Sequence, residues 1–298
     1  LRAVRFLVLG CTSFLGCSAF SGTDAVSAVD GGTIVDGGGV GGDAGTSGCS
    51  GPCAPEQVVS GASAFVGIAV DGTNLYAVVK DSGIFQKKKV VPSDPLTELV
   101  PSQVDAQYIT VVGGQLYWTS GSEVHYVAAG GGSPRVSHPT WANGDGTMLY
   151  GIAFGSGHAF VADPTAGAVF KVNLAGGTPE GARNMAGAEG VALDAAGNVW
   201  VTGCNDGTIY KWEGAPALPM PVIKGLKCPA GIAIDQKFIY VAEQKTGKIL
   251  RFTLDGVTQT LLADQQTHPT GIALDATHVY WTRTVPFAVM RLPLASLP

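Results

Sequence analysis

Apolar and polar positions alternate along the chain in short runs, not in helical stripes. Six segments share one pattern: GIAVDGTNLYAV from Gly67, YITVVGGQLYWT from Tyr108, GIAFGSGHAFVA from Gly151, GVALDAAGNVWVT from Gly190, GIAIDQKFIYVA from Gly231 and GIALDATHVYWT from Gly271. Successive starts lie 41, 43, 39, 41 and 40 residues apart. An aromatic recurs nine residues after each start (ten in the fourth): Tyr76, Tyr117, Phe160, Trp200, Tyr240 and Tyr280. A third apolar pair follows, as in Ile84-Phe85 or Ile249-Leu250, and most repeats close on a weaker run such as Thr260-Leu261-Leu262. Alternation with period two, β-branched and aromatic residues, and Gly, Asn, Asp or Pro between the runs predict four short strands per repeat. A helical solenoid of the same period would not tolerate so much glycine and β-branching.

Four strands in about 40 residues make one propeller blade. The pattern therefore predicts an all-β, six-bladed β-propeller with four-stranded antiparallel blades over residues 54–298. The sixth repeat stops after its third strand, at Met290-Arg291-Leu292. Residues 55–60, Pro55-Glu56-Gln57-Val58-Val59-Ser60, match the fourth-strand segment Pro95-Leu96-Thr97-Glu98-Leu99-Val100. They are expected to complete the last blade and hide the free edges of the terminal blades.

On these residues the chain resembles a known group. GVALDAAGNVWVT with GTIYKW, and GIAIDQKFIYVAEQKTGKILRF, are similar to NHL-type and streptogramin-lyase-like repeats; LYWTS and VYWTR are similar to YWTD repeats. The resemblance covers all six blades through structural residues. It implies a propeller and little chemistry, because that fold hosts unrelated functions.

Composition narrows the class. Hydrophobic residues make 46% of the 298, charged residues only 14%, against roughly 25% in an average domain. This excludes a disordered chain. The net charge of −5 excludes the basic footprint of a nucleic-acid binder. The one long apolar run is N-terminal, which excludes a multi-span membrane protein.

That run reads as an address. Arg2 and Arg5 precede an apolar stretch from Phe6 to Gly16 that ends at Cys17. Residues 1–17 resemble a bacterial lipoprotein signal with Cys17 as the lipidated residue; Val8-Leu9-Gly10-Cys11 fits the pattern with a shorter apolar stretch, and an ordinary secretory signal is the other reading. Residues 18–53 form a Gly/Ser/Asp-rich linker, with ten glycines between positions 21 and 50. Thirty such residues span ~30 Å on average, a spacer between membrane and domain. The expectation is an envelope protein held by its N-terminal lipid, with a monomeric domain.

Two of the six cysteines lie in the leader. Export implies an oxidising compartment, so the remaining four read as disulfide cysteines: Cys49 and Cys53, which sit close together, and Cys204 and Cys228. Cys204 follows the second strand of blade four and Cys228 precedes the first strand of blade five. Loops of those two kinds share one face of a propeller, so these two should be neighbours. One C-x₃-C spacing without nearby His matches a zinc site poorly.

Candidate chemistry lies on the same face, around the mouth of the central channel. Three residues after the aromatic, the repeats place Val79, Ser120, Asp163, Gly203, Glu243 and Arg283. Asn205 and Asp206 extend this ring, and the blade-entry loops add Glu189, His268 and an insertion with Trp141 and Asp145. An aromatic beside polar groups at a channel mouth suits a small ligand or glycan; the competing reading is a set of solvated loop residues, with Glu243 and Arg283 as a surface ion pair. Lys87-Lys88-Lys89 reads as a solvated hairpin, and His125 as a partly buried histidine.

Two function classes remain. The first is a binding propeller that presents this rim to an envelope protein, peptide or glycan, without a cofactor. The second is a metal-dependent hydrolase or lyase. Glu189-Gly190 resembles the Glu-Gly entry of gluconolactonase-type propellers, which hold a divalent metal in the channel. The next two entries, Ala230-Gly231 and Thr270-Gly271, lack the Asn-Gly and acidic ligand of that group. Glu243 matches the acidic position of streptogramin-lyase-like enzymes, but no His accompanies it and those have seven blades. No catalytic constellation is complete, so the sequence leans away from an enzyme. The discriminating geometry is whether Asp163, Glu189 and Glu243 converge.

Overall fold

The computed structural model describes residues 54–89, 94–138, 148–155, 157–173 and 179–297. They form 24 strands, β1 to β24 in chain order, in six four-stranded antiparallel sheets, and one short 3₁₀ turn. Five sheets take four consecutive strands each, beginning with Phe65–Val70, Ala106–Val112, Ile152–Gly155, Ala188–Leu193 and Pro229–Ile234. The sixth joins Ile272–Leu274, His278–Thr284 and β24 (Phe287–Pro293) to β1 (Glu56–Ser60). Glu56 pairs Arg291 and Ser60 pairs Ala288. Closure by the N-terminal strand is thus as expected from the repeat pattern. An Arg291–Glu56 ion pair at 2.8 Å supports it.

The ring holds because each blade buries both faces against its neighbours. Every junction carries an apolar cluster. The closing junction between blades six and one contains Phe65, Leu75, Tyr280 and Val289, packed as tightly as the others. Aliphatic residues one position after each repeat start, from Ile68 to Ile272, line a channel of about 250 Å³ formed by the first strands.

Glycine at the repeat start permits this narrow hub. A Cβ at Gly231 would lie 2.2 Å from the Thr270 carbonyl oxygen, and one at Gly151 would lie 2.4 Å from that of Glu189. Glu189 lies in the next blade's first strand and Thr270 at the entry to it, so a side chain there would force neighbouring blades apart.

The two faces differ in turn chemistry. On the face where first strands end, an aspartate caps the hairpin of four blades. Asp71, Asp194, Asp235 and Asp275 each accept two or more backbone N–H groups through Oδ1. Their Oδ2 atoms accept from Tyr76, Trp200, Tyr240 and Tyr280 at 2.8–3.0 Å. The aromatic recurrence is therefore a hydrogen-bonded pair as well as a packing device. Blades two and three dispense with it: glycines at positive φ, Gly113, Gly114 and Gly157, make the turn, and blade three has Phe160, which carries no donor.

The three lysines are not a solvated hairpin. Lys87 is buried and donates to the Asp94 carbonyl. Lys89 pairs Asp275 at 2.7 Å and ties blade one to blade six. The hairpin lies against the neighbouring blade's turn, which sequence spacing alone does not disclose.

Candidate functional site

The opposite face, where first strands begin, holds the candidate site. The first strands of blades one, two, four and five open on a β-bulge. A bulge withdraws residues from the ladder and re-aims their side chains. In blade four it contains Glu189 and Gly190; in blade two it contains Gln107 and Tyr108.

The backbone fixes Glu189 from both sides. Its carbonyl accepts the Gly151 N–H at 2.7 Å. The adjacent Gly190 N–H donates to Thr202 Oγ1 at 2.7 Å, and the Thr202 hydroxyl donates to the Ala230 carbonyl at 2.7 Å. Blades three, four and five thus hold the segment that aims this carboxyl.

Two tyrosines meet it. The Tyr108 phenol donates to Glu189 Oε1 at 3.1 Å, reaching from blade two to blade four. The Tyr150 ring, at the entry of blade three, lies 6.1 Å from that of Tyr108. All three residues are half-buried. Tyr108 stands at the repeat start, which is glycine in the other five blades. The fold's general requirement for no side chain is waived once, and the side chain installed reaches the Glu189 carboxyl.

Burial pushes the Glu189 carboxyl up to about 7, partly opposed by the Tyr108 hydrogen bond. A single neutral donor does not replace the water the anion would lose. Burial, then the nearby Glu189, pushes both phenols up, Tyr108 well above the usual range. The mouth therefore offers three hydroxyl groups below about pH 7, and two phenols with a carboxylate above it.

A disulfide joins Cys204 to Cys228, as expected from the face that both loops share. A Glu189 carboxylate oxygen and the two sulfurs all lie within 4.8 Å of one another. Cys204 is half-buried and Cys228 is buried.

The other candidate residues are placed elsewhere. Asp163 is buried, and its Oδ1 accepts the Ala166 N–H at 2.8 Å within its own hairpin. Glu243 is buried too; it accepts the Lys227 N–H at 2.6 Å and the Thr246 hydroxyl. It does not pair with Arg283, whose Nη2 lies 3.4 Å from Gln57 Oε1 and whose buried Nε has no hydrogen-bond partner. Exposed Asp206 caps its hairpin through the Thr208 N–H and the Tyr210 hydroxyl. The exposed Asn205 packs its amide where a Cβ at Gly187 would sit. His268 is exposed, at φ +43°. Trp141, Asp145, Cys17, Cys49 and Cys53 lie outside the described residues.

Asp163, Glu189 and Glu243 do not converge. The atoms near Glu189 with ligand chemistry are two sulfurs bonded to each other. A divalent cation taking about six oxygen ligands is not served by this set. Tyr108 and Tyr150 were not among the sequence candidates. A signal in the sequence points to Tyr108, the one bulky residue at a repeat-start glycine position; none points to Tyr150.

Solved structures share this architecture. The chain is similar to a component of a nidogen/laminin complex (16% identity over 70% of this chain and 84% of that one, TM-score 0.62). It is similar to a streptogramin B lyase (14%, 80% and 97%, 0.56) and to an auxiliary nutrient binding protein from Bacteroides thetaiotaomicron VPI-5482 (11%, 77% and 68%, 0.64). At these identities the likeness concerns the fold. Binding proteins and an enzyme both share it. No protein-family model matches the chain, and no curated protein matches it.

Proposed function

We propose that the protein is a binding propeller of the cell envelope, held to a membrane through Cys17, and that it receives a hydroxyl-rich ligand such as a glycan at the channel mouth. The observation that carries this reading is the Tyr108–Glu189 hydrogen bond with Tyr150 beside it. Three blades contribute side chains to one small polar cluster above an apolar channel. Tyrosine rings offer faces to C–H groups, and the phenols and protonated carboxyl offer directed hydrogen bonds. A nidogen/laminin complex component and a nutrient-binding protein of the same fold are consistent with binding.

The test is a glycan-array screen of the full chain, followed by calorimetry on the best ligand. Tyr150→Ala and Tyr108→Phe should each weaken it about tenfold or more, a loss of about 1.4 kcal/mol. Retention of no hydroxyl-rich ligand, or binding indifferent to both substitutions, would sink the reading. Anchoring is tested separately: labelled palmitate should enter the wild-type chain and not the Cys17→Ser chain.

One observation favours a second reading. A carboxyl pushed up to about 7 suits general acid–base chemistry without a metal. A streptogramin B lyase has the same fold. If this reading holds, Glu189→Gln abolishes turnover of a bound ligand while leaving its affinity within a few fold.

A further inference from the structure

The two loops joined by the Cys204–Cys228 bridge are also held by other contacts. Backbone hydrogen bonds tie each loop to its neighbours. Cys204 N–H donates to the Gly187 carbonyl at 3.0 Å, and Leu226 N–H to the Gly207 carbonyl at 3.0 Å. Gln244 N–H donates to the Cys228 carbonyl at 3.0 Å, and the Glu243 carboxylate accepts the Lys227 N–H beside it. Cys228 itself sits at φ +58°, a left-handed conformation unusual for a side chain with a Cβ. The two sulfurs also differ in access. Cys204 is half-buried; Cys228 is buried, with its sulfur 3.5 Å from Gln244 Oε1, so Cys204 is the one an incoming thiolate would reach first.

We propose that Cys204–Cys228 is a thiol–disulfide exchange site that takes electrons from a dithiol, with the Glu189 carboxyl supplying the proton to the buried sulfur. One thiolate of the dithiol attacks Cys204 Sγ, and a mixed disulfide forms. The Cys204–Cys228 bond breaks, and its electron pair goes to Cys228 Sγ. Glu189 gives that sulfur its proton and becomes a carboxylate. The second thiol of the reductant then attacks the sulfur of its own chain in the mixed disulfide. It leaves as a cyclic disulfide, its proton passing to Cys204. Solvent takes the proton of the first thiol and returns one to the Glu189 carboxylate, so in sum two electrons and two protons pass from the dithiol to the protein bridge.

The geometry assigns these roles. The carboxyl lies within 4.8 Å of both sulfurs, within reach after a side-chain rotation or through one water. A thiolate left in a buried site is costly, so a nearby donor accelerates bond cleavage. Upward displacement of the Glu189 carboxyl toward neutrality keeps a proton on it where thiols begin to ionise. The titratable groups acting on Glu189 are Tyr108 and Tyr150, both neutral across that range. The proposal does not depend on the binding reading: ligand affinity and bridge reduction are separate measurements.

The test follows reduction of the bridge in the full chain by dithiothreitol, read by alkylation and peptide mass at Cys204 and Cys228, for wild type and Glu189→Gln at several pH values. The ratio of the two rates cancels the ionisation of the reductant. At pH 6 wild type should react about tenfold or more faster, the lower end of general acid catalysis. The ratio should fall towards one as pH rises through about 7. Near-ultraviolet circular dichroism should stay native throughout. Glu189→Asp, which keeps an acid, should retain part of the advantage and guards against a packing artefact in the Gln variant. A ratio that does not change with pH overturns the proposal, as does a bridge that is reduced only once the propeller unfolds.

Discussion

The two faces of the ring use the same functional group in opposite ways. On the capped face, Asp275 accepts backbone N–H groups of Thr277 and His278, the Tyr280 hydroxyl and the Lys89 ammonium. On the other, Glu189 has the Tyr108 phenol. Burial acts against both anions. The Lys89 and backbone donors overcome it and hold Asp275 well below the usual carboxylate range. A single neutral donor does not, and Glu189 rises to about 7. The difference is the number and charge of the donors that replace lost water, not depth alone. An anion supplied with fixed donors is a structural cap. An anion starved of them is a group that can exchange a proton with a ligand.

The largest way to break this comparison is to remove the ring beneath it. Gly231→Tyr places a side chain where Thr270 backbone lies 2.2 Å away, and it should destabilise by about 4 kcal/mol or more in denaturant titration. Tyr108→Gly, the mirror change at the same repeat position, should leave a folded ring. Equal losses would mean that position is not a hub constraint.

Glu189→Gln should then change stability with the opposite sign to most substitutions. The folded chain holds the Glu189 proton more tightly than the unfolded chain, which titrates near 4.5. Wild-type stability therefore falls as pH rises from about 4.5 to about 7, and the charge-burial penalty is fully present above that. The variant should be more stable than wild type by on the order of 2–3 kcal/mol at pH 8, and equal to it near pH 4. A variant less stable at pH 8 would contradict the raised carboxyl.

Asp275→Asn tests the other face and should run the other way. The folded carboxyl is lowered, so its stabilisation is present above the ordinary value of 3.8 and lost as pH falls towards the folded value. The variant should lose about 2 kcal/mol at pH 7, from weakened hydrogen bonds to a charged acceptor, and little in strong acid. The same loss at both ends would show that shape, not charge, carries the cap. Smallest is Tyr108→Phe: removing one hydrogen bond should cost about 1 kcal/mol or less and push Glu189 further up, visible as a steeper fall of stability above pH 7.

The fold was legible because a ring of six imposes the same constraints six times. Repeat-start glycines, the buried aromatics and the orphan first strand each carry a local reason that survives reading in one dimension. The Cys204–Cys228 bridge was legible for the same reason, since blade topology alone brings the two loops to one face. The site was legible only in part. Glu189 stood out as a charged residue at a blade entry. Asp163 and Glu243 stood out equally, yet Asp163 turns back to its own hairpin, and Glu243 to its own turn and to the blade-entry backbone at Lys227, because a carboxylate next to a turn finds donors close by. Tyr108 and Tyr150 did not stand out, since an aromatic at an entry position looks like core. What distinguishes them is contact across blades far apart in sequence, 81 residues in the case of Tyr108 and Glu189.

The central claim is that the Glu189 carboxyl keeps its proton to near neutrality. Infrared difference spectroscopy of the full chain, wild type minus Glu189→Gln, from pH 4 to pH 9 measures it directly. The account predicts a protonated-carboxyl C=O band unique to wild type that disappears with a midpoint at about 7. A band lost near 4.5, with the exposed glutamates, would contradict it.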